Sequence, residues 1–164
     1  MALGITRAWQ IRPLRSADAA AVTALVHAAF SDMEVPLDPP PTALGETEGS
    51  IADRIAVGDG VCAELAGVLV ASILWAIDDG LHVARLAVHP AWRRRGIARD
   101  LLACADRAAR GLQIWRLHLE TRLVLTGNLR LFARCGYREC ARDPADADPQ
   151  ITLVRLEKHL PVPR

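Results

Sequence analysis

The chain has 164 residues, 51% of them hydrophobic and 24% charged, which suits one domain with a buried core and argues against two domains or disorder. A net charge of +1 is too small to imply a polyanionic partner on its own, although Arg93, Arg94, Arg95 and Arg99 concentrate positive charge locally. No run approaches the roughly 18 apolar residues of a membrane span. Met1 to Leu14 lacks the sustained apolar core of a secretory signal. Cys62, Cys104, Cys135 and Cys140 form no CxxC pair and stand at no zinc spacing with histidine, so the expectation is a soluble, cytoplasmic protein with reduced thiols and no metal.

In chain order, Trp9 to Arg12 alternates and suits an opening strand. Ser16 stands at an N-cap position with Asp18 in the first turn. Val22, Leu25, Val26, Ala29 and Phe30 then follow at helical spacing, predicting a helix over Ala17 to Phe30. Acidic, proline-rich Ser31 to Pro41 reads as a loop, and Ile51, Ile55 and Ala56 give a sparse apolar face to a second helix over about Glu46 to Ala56. Gly58-Asp59-Gly60 is a turn, beyond which Val61 to Leu65, Val68 to Ile77 and Leu81 to Val88 predict three strands of an antiparallel meander. A helix from about Arg95 to Arg110 buries Ile97, Leu101, Cys104, Ala105 and Ala108 and stops at Gly111. Ile114 to Glu120 alternates as a strand, Thr126 to Arg134 is a short helix ending at Gly136, and Tyr137 to Arg142 and Ile151 to Glu157 close the chain around an acidic loop, Asp143 to Pro149. The order βααβββαβαββ describes a single α+β domain over residues 1–164, with its core at about 10–158 and a mixed central sheet.

The most informative stretch is Leu86-Ala87-Val88-His89-Pro90-Ala91-Trp92-Arg93-Arg94-Arg95-Gly96-Ile97-Ala98, where a buried strand runs into a glycine-bearing turn that opens a helix. Helix N-termini present unpaired N–H groups and partial positive charge, Gly96 permits close approach, small Ala98 leaves the first turn clear, and arginines line the rim. An isolated basic corner would read as solvated surface; the preceding strand and the glycine favour a phosphate site. No second basic stripe or aromatic series supports a nucleic-acid partner.

This stretch resembles motif A of the GNAT superfamily of N-acetyltransferases, an Arg or Gln, two residues, Gly, one residue, then Gly or Ala, matched here by Arg93, Gly96 and Ala98. Downstream, Asn128, Leu131-Phe132 and Cys135-Gly136-Tyr137 resemble that family's Asn-x-x-Leu-Tyr-x-x-x-Gly-Phe stretch. The resemblance implies a mostly antiparallel sheet flanked by helices in three layers, and acetyl-CoA as co-substrate. It places the pantetheine arm on the backbone of Leu86, Ala87 and Val88. The pyrophosphate falls on the turn made by Arg93, Arg94, Arg95, Gly96, Ile97 and Ala98, with Asn128 and Phe132 beside the cofactor. A homodimer is implied only by analogy.

Acyl transfer to an amine needs a neutral nucleophile, an oxyanion contact and a proton for the leaving thiolate. The Val88 backbone N–H is the candidate oxyanion contact. His82 is the candidate general base, placed by strand parity on the side of Ala84, Leu86 and Val88, with a surface histidine as the equal alternative. Phe132 stands where the family commonly has a tyrosine and donates no proton, which motivates a second reading, a non-catalytic acyl-CoA-binding module. His27, His89 and His118 read as structural, and His159 as part of a tail. Asp32, Glu34, Asp38, Glu46 and Glu48 offer either attraction to a cationic amine or, more commonly, a solvated acidic loop; Glu120 is a better-placed carboxylate. The acceptor expected is a small-molecule or peptide amine.

Overall fold

The computed structural model describes residues 8–146 and 148–164; the start of the Met1 to Leu14 reading and Ala147 of the acidic-loop reading lie outside the described residues. Strand β1 (Gln10–Pro13) leads through a 3-10 turn (Ser16–Asp18) to helix α1 (Ala19–Ser31), and another such turn (Thr42–Gly45) precedes α2 (Glu48–Val57). Strands β2 (Asp59–Leu65), β3 (Val68–Ile77) and β4 (Leu81–Val88) follow, then α3 (Ile97–Gly111), β5 (Arg116–Arg122), α4 (Thr126–Arg134), β6 (Arg138–Ala145) and β7 (Asp148–His159). The element order is the predicted one. Among the described residues, seven strands form one sheet, β1-β2-β3-β4-β5-β7-β6, in which only β4 and β5 run parallel.

Two cores make three layers. On one face Ile97, Leu101, Leu102 and Ala105 of α3 bury against Ile73, Trp75, Leu81, Val83, Leu117 and Leu119. On the other, Val22, Leu25 and Val26 of α1 and Ile51 of α2 bury against Cys62, Leu74 and Ala87. No helix among the described residues is long and apolar enough to cross a membrane.

Local chemistry corrects several boundaries. Asp18, not Ser16, organises the entry to α1: its carboxylate accepts from the Arg15 N–H (2.8 Å) and pairs with Arg12 (2.9 Å). Helix α3 starts at Ile97 because Arg94 and Gly96 are left-handed (φ 62° and 83°), and Ala109 rather than Ala108 completes its buried stripe. Most of the predicted Asp143 to Pro149 loop is strand. β6 is an edge strand with a largely solvent-facing surface, where acids and proline are tolerated, and Asp143 pairs with Arg155 (3.4 Å). His159 ends β7 opposite Arg116 and is not in a tail.

The largest correction lies in β4. Ser72 faces Ala87 and Leu74 faces Ala84, so Ile73 alone opposes both Arg85 and Leu86. This is a β-bulge, and Arg85 within it has φ 51°. One extra residue inverts the alternation. Leu81 and Val83 face α3 before the bulge; Leu86 and Val88 do so after it, while Ala87 joins the α1 side. His82 therefore shares Ala84's side but lies on the opposite face from Leu86 and Val88, contrary to simple parity.

Candidate active site

β4 and β5 pair only at Leu81–Leu117 and His82–His118. Beyond those pairs the strands part and leave the second half of β4 with a free edge. The His89 N–H donates to the Val70 carbonyl of β3 (2.9 Å), so the alternating backbone turns the Val88 N–H away from β3, toward the opened side.

At the end of β4 a 3-10 turn (Pro90–Trp92) delivers the chain to Arg93, which is extended. The left-handed Arg94 and Gly96 flank Arg95, whose φ is not positive. Such alternation of hand points successive N–H groups to one side as an anion nest, continuous with the unpaired N–H groups and positive dipole end of α3. A Cβ at Gly96 would meet no protein atom within 4 Å, so glycine is favoured there by the left-handed backbone and not by packing. The geometry fits a pyrophosphate.

Leu86, Val88, Arg93, Arg94, Gly96, Ile97, Ala98, Asn128 and Phe132 all line one cleft of about 780 Å³. Ala87 turns its side chain into the opposite core, and Arg95 lies over the Trp92 ring, 4.5 Å from its centroid. The arginine rim is thus less uniform than expected. Arg94 extends into solvent and pairs loosely with Glu34 (3.8 Å). The Arg93 side chain turns back to the C-terminal end of α1, donating to the carbonyls of Ala29 (2.7 Å) and Asp32.

The loop after α1 supplies Met33, Glu34 and Val35 to the cleft, and Arg122 at the end of β5 holds it by donating to the carbonyls of Pro39 (2.7 Å) and Pro40 (3.1 Å). Its proline content marks a loop, but nothing in its composition reveals that it borders the cleft. On α4, the Asn128 amide meets the Thr121 hydroxyl at 3.5 Å, and Phe132 packs edge-on against Tyr137. Tyr137 is buried outside the cleft lining; burial, with Asp106 nearby, pushes its hydroxyl well above the usual tyrosine range.

On the other face of the sheet His82 lines a smaller cavity of about 260 Å³ with Ala84, Leu74, Arg54 and Asp53. Its ring stacks on His118 at 4.8 Å, and His118 bonds Asp78 (2.7 Å), as a hydrogen-bonded histidine should. Burial and the neighbouring His118 push His82 below its ordinary value, only partly opposed by Asp78. Asp78, Asp79 and His118 bring one ligand atom each within 4.8 Å of one another, but Arg116 already pairs with Asp79 (3.1 Å). Glu120 pairs with Arg155 (3.3 Å). Glu46, expected in a solvated acidic loop, is buried and carries Arg54 and Arg85. His27 bonds the Glu46 carbonyl (2.7 Å), and His89 accepts from the Ala91 N–H (3.2 Å), both structural contacts.

Residues 56–139, just over half of the chain, match the family model of the acetyltransferase (GNAT) domain. Curated protein sequences yield no match. Among solved structures, the ribosomal-protein-S18-alanine N-acetyltransferase of Escherichia coli superposes with a TM-score of 0.77 at 17% identity, over 95% of this chain and 96% of that one. A GCN5-related N-acetyltransferase from Rhodopseudomonas palustris gives 0.78 at 20% identity, over 93% and 96%. The PaiA N-acetyltransferase of Thermoplasma acidophilum, solved in complex with coenzyme A, gives 0.74 at 14% identity, over 92% and 98%.

Proposed function

Because the chain belongs to the GNAT acetyltransferase family, we propose that it moves an acyl group, acetyl foremost, from an acyl-coenzyme A to a primary amine by direct transfer in a ternary complex. The observation that carries this reading is the adjacency, in one cleft, of the left-handed Arg94–Gly96 turn at the start of α3 and the free edge of β4. N–H groups from Arg94 to Ala98 would hold the pyrophosphate, the backbone from Leu86 to Val88 the pantetheine arm, and Asn128 and Phe132 its flank. The bound thioester supplies the acyl group.

The Val88 N–H would steady the developing oxyanion, and fixed backbone donors of this kind act without reorganising. His82, pushed below its ordinary value by burial and by His118, would accept the proton of an ammonium arriving from the α2 face of the sheet. Phe132 donates no proton, so the leaving thiolate takes one from water or from the nitrogen of the tetrahedral intermediate, which still carries two protons after His82 has accepted the first. That substitution also sustains the second reading, a module that binds acyl-CoA without turnover.

Two measurements test the proposal. Calorimetric titration with coenzyme A should show binding by the unaltered protein and none by Gly96→Glu, whose carboxylate would enter the phosphate site; equal affinity of the two removes the proposal. Thiol release from acetyl-CoA with a panel of primary amines should exceed background, whereas tight binding without release selects the module.

A further inference from the structure

Of the described non-glycine residues with positive φ, Ala66 and Gln113 lie in turns and Arg94 in the cofactor turn, but Arg85 stands inside a strand. A left-handed residue costs free energy wherever it is not glycine, and persists where its surroundings hold it. The Arg85 side chain pairs with Glu46. Glu46 Oε1 accepts from Arg85 Nε (2.7 Å) and from Arg54 Nε (2.8 Å), while the Ser50 hydroxyl bonds its other oxygen. The Glu46 side chain is only 4% exposed, and His27 fixes the Glu46 carbonyl (2.7 Å). The carboxylate is thus buried and bonded on both oxygens.

The register shows what this anchorage accomplishes. In a regular strand, Arg85 and Ala87 would continue the row of Leu81 and Val83 into the α3 core, and Leu86 and Val88 would face α2. With the extra residue accommodated at the bulge, Leu86 and Val88 line the cofactor cleft instead. We propose that Glu46 and Arg85 are a positioning pair: the buried carboxylate holds Arg85 in its bulge and thereby sets which face and edge of β4 meet the coenzyme. Neither residue lines the cleft. This inference rests on the cofactor reading given above.

The test compares substitutions that keep or lose the left-handed conformation. Glycine adopts it unaided; valine resists it and suits the regular row toward α3. Calorimetric titration with coenzyme A, alongside thermal melts, should find Arg85→Gly within about threefold of the unaltered affinity, and Arg85→Val weaker by about tenfold or more even where its melting temperature is not lower. Glu46→Gln should weaken binding, and adding Arg85→Gly to it should restore affinity, a rescue that loss of general stability does not produce. Arg85→Val binding like the unaltered chain, or failure of the rescue in a folded double variant, overturns the positioning role. If Glu46→Gln does not fold, the Arg85→Val and Arg85→Gly comparison decides alone. No binding by the unaltered chain overturns the cofactor reading and this inference with it, whereas the other failures leave the cofactor reading standing.

Discussion

At the scale of single residues, an imidazole serves as a base only while neutral, and burial and the stacked His118 push His82 below its ordinary value, which favours that form. With its folded value below the ordinary 6.5, the ring stays deprotonated somewhat below that pH, so the acid limb of turnover attributable to it should lie below 6.5. His82→Ala should lower kcat with a primary amine by about a hundredfold or more near neutral pH, and recover in part at alkaline pH where the amine is already neutral. Its affinity for coenzyme A should not change. A pH profile of kcat beside a titration checks both; an unchanged profile returns His82 to the surface. The identity of His82 as a titrating group on β4 was legible from residue type and strand length. Its side of the sheet was not, because the bulge at Arg85 reverses every facing beyond it and no local propensity announces a left-handed arginine.

At the scale of elements, α1 and the turn that begins at Arg93 are mechanically joined. Arg93 donates to the carbonyls of Ala29 and Asp32, groups that the end of a helix leaves without partners, and its charge suits the negative end of the helix dipole. Arg93→Ala should cost about 1–2 kcal/mol of stability and also weaken coenzyme A binding, since the turn loses its tie to α1. Arg93→Lys should restore little, because an ammonium does not reproduce a planar fork that spans two carbonyls. Denaturant midpoints and titrations of the two variants measure these effects, and full recovery in Arg93→Lys would show that charge alone matters. Sequence spacing matched Arg93 to a phosphate motif, but the partner carbonyls lie 64 and 61 residues away, beyond any local pattern.

At the scale of the whole molecule, acid pairs tie distant segments together. Arg116 hydrogen-bonds Glu157 and holds its carboxyl down at about 2, and Arg12 holds Asp18 below the usual carboxylate range. Burial alone would raise the Glu46 carboxyl, but Ser50 and Arg85 bring it below its ordinary value. Each folded value lies under its unfolded one, so each contribution is complete above the ordinary carboxylate range and fades as pH falls through the folded value. The urea midpoint should therefore fall as the pH drops from 4.5, the ordinary glutamate value, toward about 2, with Glu157→Gln flattening the lower part of that fall. A midpoint that stays level across this range in the unaltered protein would exclude the paired carboxylates as its acid-sensitive elements.

Alternation, helical spacing and glycine turns are local properties, and they determined the order of eleven elements and the place of the Arg93–Ala98 turn between a strand and a helix. Gly96 was legible as a point of close approach because it has no side chain; that its backbone and that of Arg94 are left-handed came from the fold. Three features were decided only in the fold: the face of β4 that lines the cleft, the burial of Glu46 beneath two arginines, and the loop after α1 drawn to β5 by Arg122. Each depends on which distant group satisfies a charge or a carbonyl, and that pairing is settled by packing of the sheet and its two helical layers, not by neighbours along the chain.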